Sequence, residues 1–221
     1  MIRYFNLNYQ LDLIIIIFFS FFINFYYSSI GVLPQDTFAY YDTGYRVLNG
    51  AVPFKDYWTV SGPIIDYIQS IFFYFFGVNW KVYTLNGSVI NCLITFTLYF
   101  LLRTYKLKRG LNFFYCICFS VLANPSMGVA FPDHYSTFFS LIAVFLFLIA
   151  LKIEKKFLWY LIPFAFFLAF FSKQSPSSYI FISTLFLIIF YIFYFKKIKF
   201  LKYLILTSVG CIFTFVLFMY M

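Results

Sequence analysis

Charged side chains make up only 10% of the 221 residues, and just seven of them are acids. Soluble domains carry about 25% charge, so no water-facing surface can be built from this chain. Its 64% apolar content excludes intrinsic disorder as well. Histidine occurs once, and there is no Cys-x-x-Cys pair; Cys92, Cys116, Cys118 and Cys211 all lie inside apolar runs. A structural zinc site needs four closely placed Cys or His ligands, and the acids are too dispersed for a calcium cage. The sequence therefore calls for no metal and no cofactor. It contains no internal repeat or inverted pseudo-symmetry of the transporter kind. Nor does it place a charge near the middle of any apolar run, as a proton-coupled carrier would.

What the chain does hold is apolar mass, including 37 Phe and 21 Tyr. Seven apolar runs can be marked off by the charges between them, at about 13–33, 82–102, 111–123, 136–151, 157–171, 177–195 and 203–221. The first has no small-residue cleavage site behind it and reads as a retained anchor, not a signal peptide. The fold class expected is an all-α polytopic membrane protein with about seven transmembrane helices, residues 1–221 forming one membrane module.

The formal charge of +9 comes from bases in short clusters between the runs. Clusters of that kind set topology and do not form a nucleic-acid face, so no nucleic-acid partner is expected. With the N-terminus in the cytoplasm, twelve of the 16 bases fall inside: Arg3; Arg103, Lys106, Lys108 and Arg109; Lys152, Lys155 and Lys156; Lys196, Lys197, Lys199 and Lys202. Outside lie Arg46, Lys55, Lys81 and Lys173, with Asp36, Asp42, Asp56, Asp66 and Asp133. The expected location is the cell membrane, with the active face extracytoplasmic.

The outer segment 34–81 is too rich in turn signals to be one helix. Pro34 and Asp36 mark a helix start with Asp36 as N-cap. Phe38, Tyr41, Tyr45 and Leu48 then share a face, and Asn49-Gly50 ends the helix before Pro53. A second amphipathic run begins after Gly62-Pro63. Ile64, Ile68, Ile71, Phe72 and Phe75 share a face, with Asp66 and Gln69 looking elsewhere, and Gly77 ends it. Two helices lying in the interface plane fit this pattern. In the second span Thr84, Ser88, Asn91 and Thr95 make one polar stripe, which should face other helices or water. The third span is only about 20 Å long, so the stretch from Asn124 to His134 is expected to lie partly at membrane depth and to bring Asp133 to a sunken polar pocket.

Residues 36–80, DTFAYYDTGYRVLNGAVPFKDYWTVSGPIIDYIQSIFFYFFGVNW, resemble the first extracytoplasmic loop of integral-membrane glycosyltransferases that use polyprenyl-phosphate sugars. The nearest patterns are the protein O-mannosyltransferase-like and aminoarabinose transferase-like families. The shared features are an early Asp (Asp36), a Gly-x-x-Pro-[YF]-x-Asp turn (Gly50, Pro53, Phe54, Asp56), a Pro-led second helix (Pro63) and a Phe-Gly ending (Phe76-Gly77). Ser172-Lys173-Gln174 resembles the Thr/Ser-Lys-x segment outside the fifth span of those families. The chain departs from them at Asp36-Thr37, where many have Asp-Glu, and at Ser61-Gly62-Pro63, where many have a phosphate-holding Lys before the Pro. It resembles their shared seven-span module alone, as a truncated product or a split partner would.

The resemblance implies a GT-C fold and transfer of a sugar from a polyprenyl-phosphate donor to the hydroxyl of a glycan, lipid or protein acceptor. That chemistry needs a base for the hydroxyl and a cation for the developing phosphate charge. Asp36 is the candidate base, against a plain N-cap role. Asp133 is the candidate second acid, positioning acceptor or base, against a helix-start role. Lys173 is the candidate phosphate ligand, against interfacial snorkelling. Arg46, Lys55 and His134 are further substrate-binding candidates. Asp42 and Asp56 read as structural, with Asp42 placed to pair Arg46 at i+4. The competing reading is a non-catalytic membrane component: a transporter or flippase subunit, or an inactive transferase module.

Overall fold

The computed structural model describes residues 7–30, 36–59, 61–123 and 128–220. Pro34, the expected helix start, and the opening of the Asn124–His134 stretch lie outside the described residues. Helix makes up 83% of the structure, without strands among the described residues. Nine helices follow one another among the described residues: α1 (Leu7–Ile30), α2 (Asp36–Leu48), α3 (Ile64–Phe76), α4 (Trp80–Thr104), α5 (Arg109–Leu122), α6 (Pro132–Ile153), α7 (Lys156–Ser172), α8 (Gln174–Tyr194) and α9 (Lys199–Tyr220). Every apolar run of the sequence falls on a helix, and the outer segment supplies α2 and α3. Four helices, α1, α4, α6 and α8, are long and apolar enough to cross a membrane; α5 and α7 are apolar but shorter. The molecule is a helical protein of multi-pass membrane type.

Local chemistry sets the boundaries. The Asn79 side chain accepts from the Val82 amide at 3.0 Å and starts α4. Pro132 occupies the first turn of α6, where its missing N–H costs nothing. Gly50 (φ 88°) and Gly77 (φ 84°) turn the chain at the ends of α2 and α3 in a conformation that side chains resist.

Helices α1, α4 and α5 pack together around Ile16, Tyr99 and Cys116. Helices α6 to α9 pack around Trp159, Phe147, Ile188 and Phe200, and α4 joins α6 to unite the two groups. The α2–α3 hairpin rests on α4 and touches α7.

Each hairpin helix sets one face against the bundle. In α3 the buried residues are Ile65, Asp66, Gln69 and Phe73, whereas Ile71 and Phe75 are exposed. In α2 Tyr40 and Gly44 face inward, while Phe38 and Tyr45 are exposed. Lipid is as apolar as any core, so a membrane-bound helix gains by turning its polar side chains toward protein partners. Gly44 lets α3 approach: a side chain there would run into Gln69.

Candidate functional site

The segment that carries α2 and α3 meets the rest of the chain where α6 begins and α7 passes into α8. Lys173 sits between α7 and α8 in extended backbone. Its carbonyl accepts from the hydroxyls of Ser136 (2.8 Å) and Ser177 (2.7 Å), and its amide donates to Ala169. The preceding carbonyl, of Ser172, accepts from the Gly62 amide at 3.0 Å. Gly62 lies so close to the Phe171 backbone that any side chain would collide with it. The segment before α3 thus clamps the α7–α8 junction and fixes where Lys173 starts.

Asp133 lies in the first turn of α6, where a carboxylate complements the helix dipole. The segment leading to it is held from three sides: Asn24 donates to Gly128 O (2.9 Å), Tyr83 to Ala130 O (3.1 Å), and Tyr135 to Asn86 Oδ1 (2.7 Å). From these two rigid supports the Lys173 ammonium reaches both Asp133 oxygens, at 2.7 and 2.8 Å. Their side chains are 38% and 48% exposed, so the pair faces outward and is open to competition from solutes.

The other expected site residues do not all join it. His134 is half-buried between Phe131 and Phe138, and its Nδ1 has no hydrogen-bond partner among the described residues. Arg46 pairs with Asp42 at 2.7 Å on the exposed side of α2, as the i, i+4 spacing predicts. Lys55 is exposed in the 54–56 turn with no ion pair among the described residues. Asp56 is structural, its carboxylate accepting from the Val52 amide at 2.7 Å to close that turn. Asp36 opens α2; its side chain lies outside the described ones.

A second polar cluster went unread in the sequence. The buried Asp66 carboxylate accepts from Thr43 (2.6 Å) and Tyr57 (2.8 Å), tying α2, the turn and α3 together. One turn on, Gln69 Oε1 accepts from Asn86, whose own oxygen takes the Tyr135 hydroxyl. Burial pushes the Asp66 carboxyl up to about 6 against the pull of its two hydroxyl donors. Burial and the neighbouring Asp66 likewise raise the Tyr57 phenol. The signal was available: the rule that polar residues on an apolar helix face protein, applied above to α4, applies equally to Asp66 and Gln69.

Comparison with protein-family models, with curated proteins and with solved structures yields no match.

Proposed function

We propose that this chain is a seven-span GT-C-type glycosyltransferase module of the cell membrane. It transfers a sugar from a polyprenyl-phosphate donor to an acceptor hydroxyl at the extracytoplasmic face, with inversion at the anomeric carbon. The observation that carries the reading is the Asp133–Lys173 pair, joined from two loops and clamped by the two-helix outer segment. In this reaction the acceptor oxygen attacks the anomeric carbon, the bond from that carbon to the phosphate oxygen breaks, and the electron pair leaves with the lipid phosphate. Asp36 takes the acceptor proton. Lys173 exchanges Asp133 for the phosphate as charge develops there, and Asp133 then orients the acceptor. Arg46, Lys55 and His134 are secondary donor contacts.

A second reading draws on the same pair. Asp133 and Lys173 neutralise each other, as they would in a non-catalytic membrane component that merely fixes its helix junction. Transfer from polyprenyl-phosphate sugars by the protein in liposomes separates the two. Asp36→Asn keeps a capping side chain, since Asn caps about as well as Asp, and removes the base. A loss of about 100-fold in rate with unchanged insertion is expected. A variant that transfers at the parental rate removes Asp36 from the mechanism, and a parental protein inactive with every donor favours the non-catalytic reading.

A further inference from the structure

The end of α6 opposite Asp133 carries a feature the transferase reading does not use. A cavity of about 520 Å³ runs between α4, α6 and α7. Its walls are apolar throughout, with Phe96, Phe100, Leu146 and Leu161 among them, and its polar members are Thr97, Thr104 and Lys155. Along α6 the lining extends from Phe139 to Ile153, about 21 Å at the helical rise. A groove of that length and apolar lining accommodates an extended hydrocarbon chain.

Charge decides what the chain must carry at its end. Lys155 is the one charged residue of the lining, and it has no ion-pair partner among the described residues. The adjacent acid, Glu154, is already engaged by Lys197 at 2.8 Å and Lys199 at 4.0 Å. Lys152 and Lys156 flank the mouth and are exposed. We propose that this groove is a binding site for an anionic phospholipid of the surrounding bilayer, one acyl chain lying between α4 and α7 and the headgroup phosphate meeting Lys155. A zwitterionic lipid offers the same chain, but its own cation offsets the phosphate charge that Lys155 reads. The inference is independent of the transferase reading and requires only that the protein reside in a bilayer.

The test places a reporter in the groove. Phe100→Trp is reconstituted in bilayers containing dibrominated phosphatidylglycerol or dibrominated phosphatidylcholine, and parental fluorescence is subtracted. Quenching of the added indole should reach half-maximum at a phosphatidylglycerol fraction about fivefold below that of phosphatidylcholine, the scale of one membrane-proximal lysine. Lys155→Gln should abolish that preference, while Lys156→Gln, outside the lining, should leave most of it. Equal quenching by the two lipids, or a preference that survives Lys155→Gln, overturns the proposal. So does protection of the groove from both lipids by a second copy of the chain. If Phe100→Trp fails to insert, native mass spectrometry of the delipidated parental protein titrated with each lipid reads the same ratio, with Lys155→Gln as the control.

Discussion

The two halves of the bundle are held together by different chemistry. Where α1 meets α4 and α5 the contact is polar. Ser20 and Thr95 share a hydrogen bond at 3.3 Å, Asn24 donates to Ser88 at 3.0 Å, and Asn91 bridges the carbonyls of Ser20 and Ser120 at 3.2 and 3.1 Å. Arg109 grips both oxygens of Asp12 at 2.6 and 2.7 Å where α1 and α5 begin. Where α6 to α9 meet, the contact is aromatic: Trp159 stacks on Phe200 with centroids 4.4 Å apart and is flanked by Tyr191 and Phe147. In lipid, apolar contact brings no gain over contact with acyl chains except through better packing. The interior of the aromatic half therefore depends chiefly on shape, its polar contacts lying at the helix ends, Lys173 with Asp133 and Ser136 and Glu154 with Lys197. The polar half depends on directional bonds, which pin helix register as well as proximity.

This contrast breaks most readily at Trp159, which is fully buried. Trp159→Ala leaves a cavity among Phe147, Tyr191 and Phe200 that no single neighbour can fill. A loss of about 4 kcal/mol is expected, the scale of buried aromatic truncations. It should appear as a lower midpoint in unfolding by denaturing detergent. Trp159→Phe should cost far less, because the indole Nε1 has no hydrogen-bond partner to lose among the described residues. Equal losses for Ala and Phe would show that the stack matters less than the presence of any ring-free volume.

Asp66 sharpens the comparison, because its buried carboxylate ties α2, the turn and α3 of the hairpin together. The folded-state value of about 6 lies above the ordinary 3.8, so the folded protein holds this proton more tightly than the unfolded chain. The ionisation penalty is absent below about pH 4, develops through the interval, and is complete above about pH 6; stability falls as pH rises. The full difference corresponds to about 3 kcal/mol at most. Asp66→Asn keeps an acceptor for Thr43 and should flatten this dependence, making the variant the more stable protein at pH 8. Asp66→Ala leaves the Thr43 and Tyr57 hydroxyls without their acceptor and should destabilise at pH 4 as well. Unfolding midpoints measured between pH 4 and 8 distinguish the two. A parental curve with no slope in that window would mean that Asp66 is solvated and that the cluster does not tie the hairpin down.

How much of this was legible in the sequence follows the same division. The Thr84–Ser88–Asn91–Thr95 stripe could be read because four polar residues at helical spacing stand out against an apolar helix, and all four are buried. Gly50 and Gly77 could be read because glycine just past an apolar run is a helix-stop signal. Asp133 and Lys173 could be singled out because the chain has few charges to choose from, but their direct pairing left no local pattern. The aromatic core could not be found, since with 28% aromatics no spacing distinguishes Trp159 from its exposed neighbours. Which faces of α2 and α3 turn inward could not be read, because apolar periodicity locates the core only when water is the alternative; against lipid, Asp66 and Gln69 mark the inside. The clamp of Gly62 on Phe171 depends on the approach of two backbones more than 100 residues apart, which leaves no local pattern.

The smallest expected effect lies in the polar half and tests whether its bonds hold helices together or only align them. Asn91 bridges α1 and α5 across α4, donating to the Ser20 and Ser120 carbonyls. Asn91→Leu conserves most of the volume and removes both donated bonds. The Ser20 carbonyl lies inside α1 and stays within its helix, and the loss should be modest, about 1 kcal/mol, as for interhelical hydrogen bonds in bilayers. Register should suffer more than stability. With Asn91 gone, disulfide trapping between cysteines introduced on α1 and α4 should spread over neighbouring positions one helical turn away. In a cysteine-free parental background the same scan should give a single favoured pair. A leucine variant as sharply registered as the parent would mean that Asn24, Ser88 and the Asp12–Arg109 pair already fix the alignment, and that the Asn91 bonds are redundant with them.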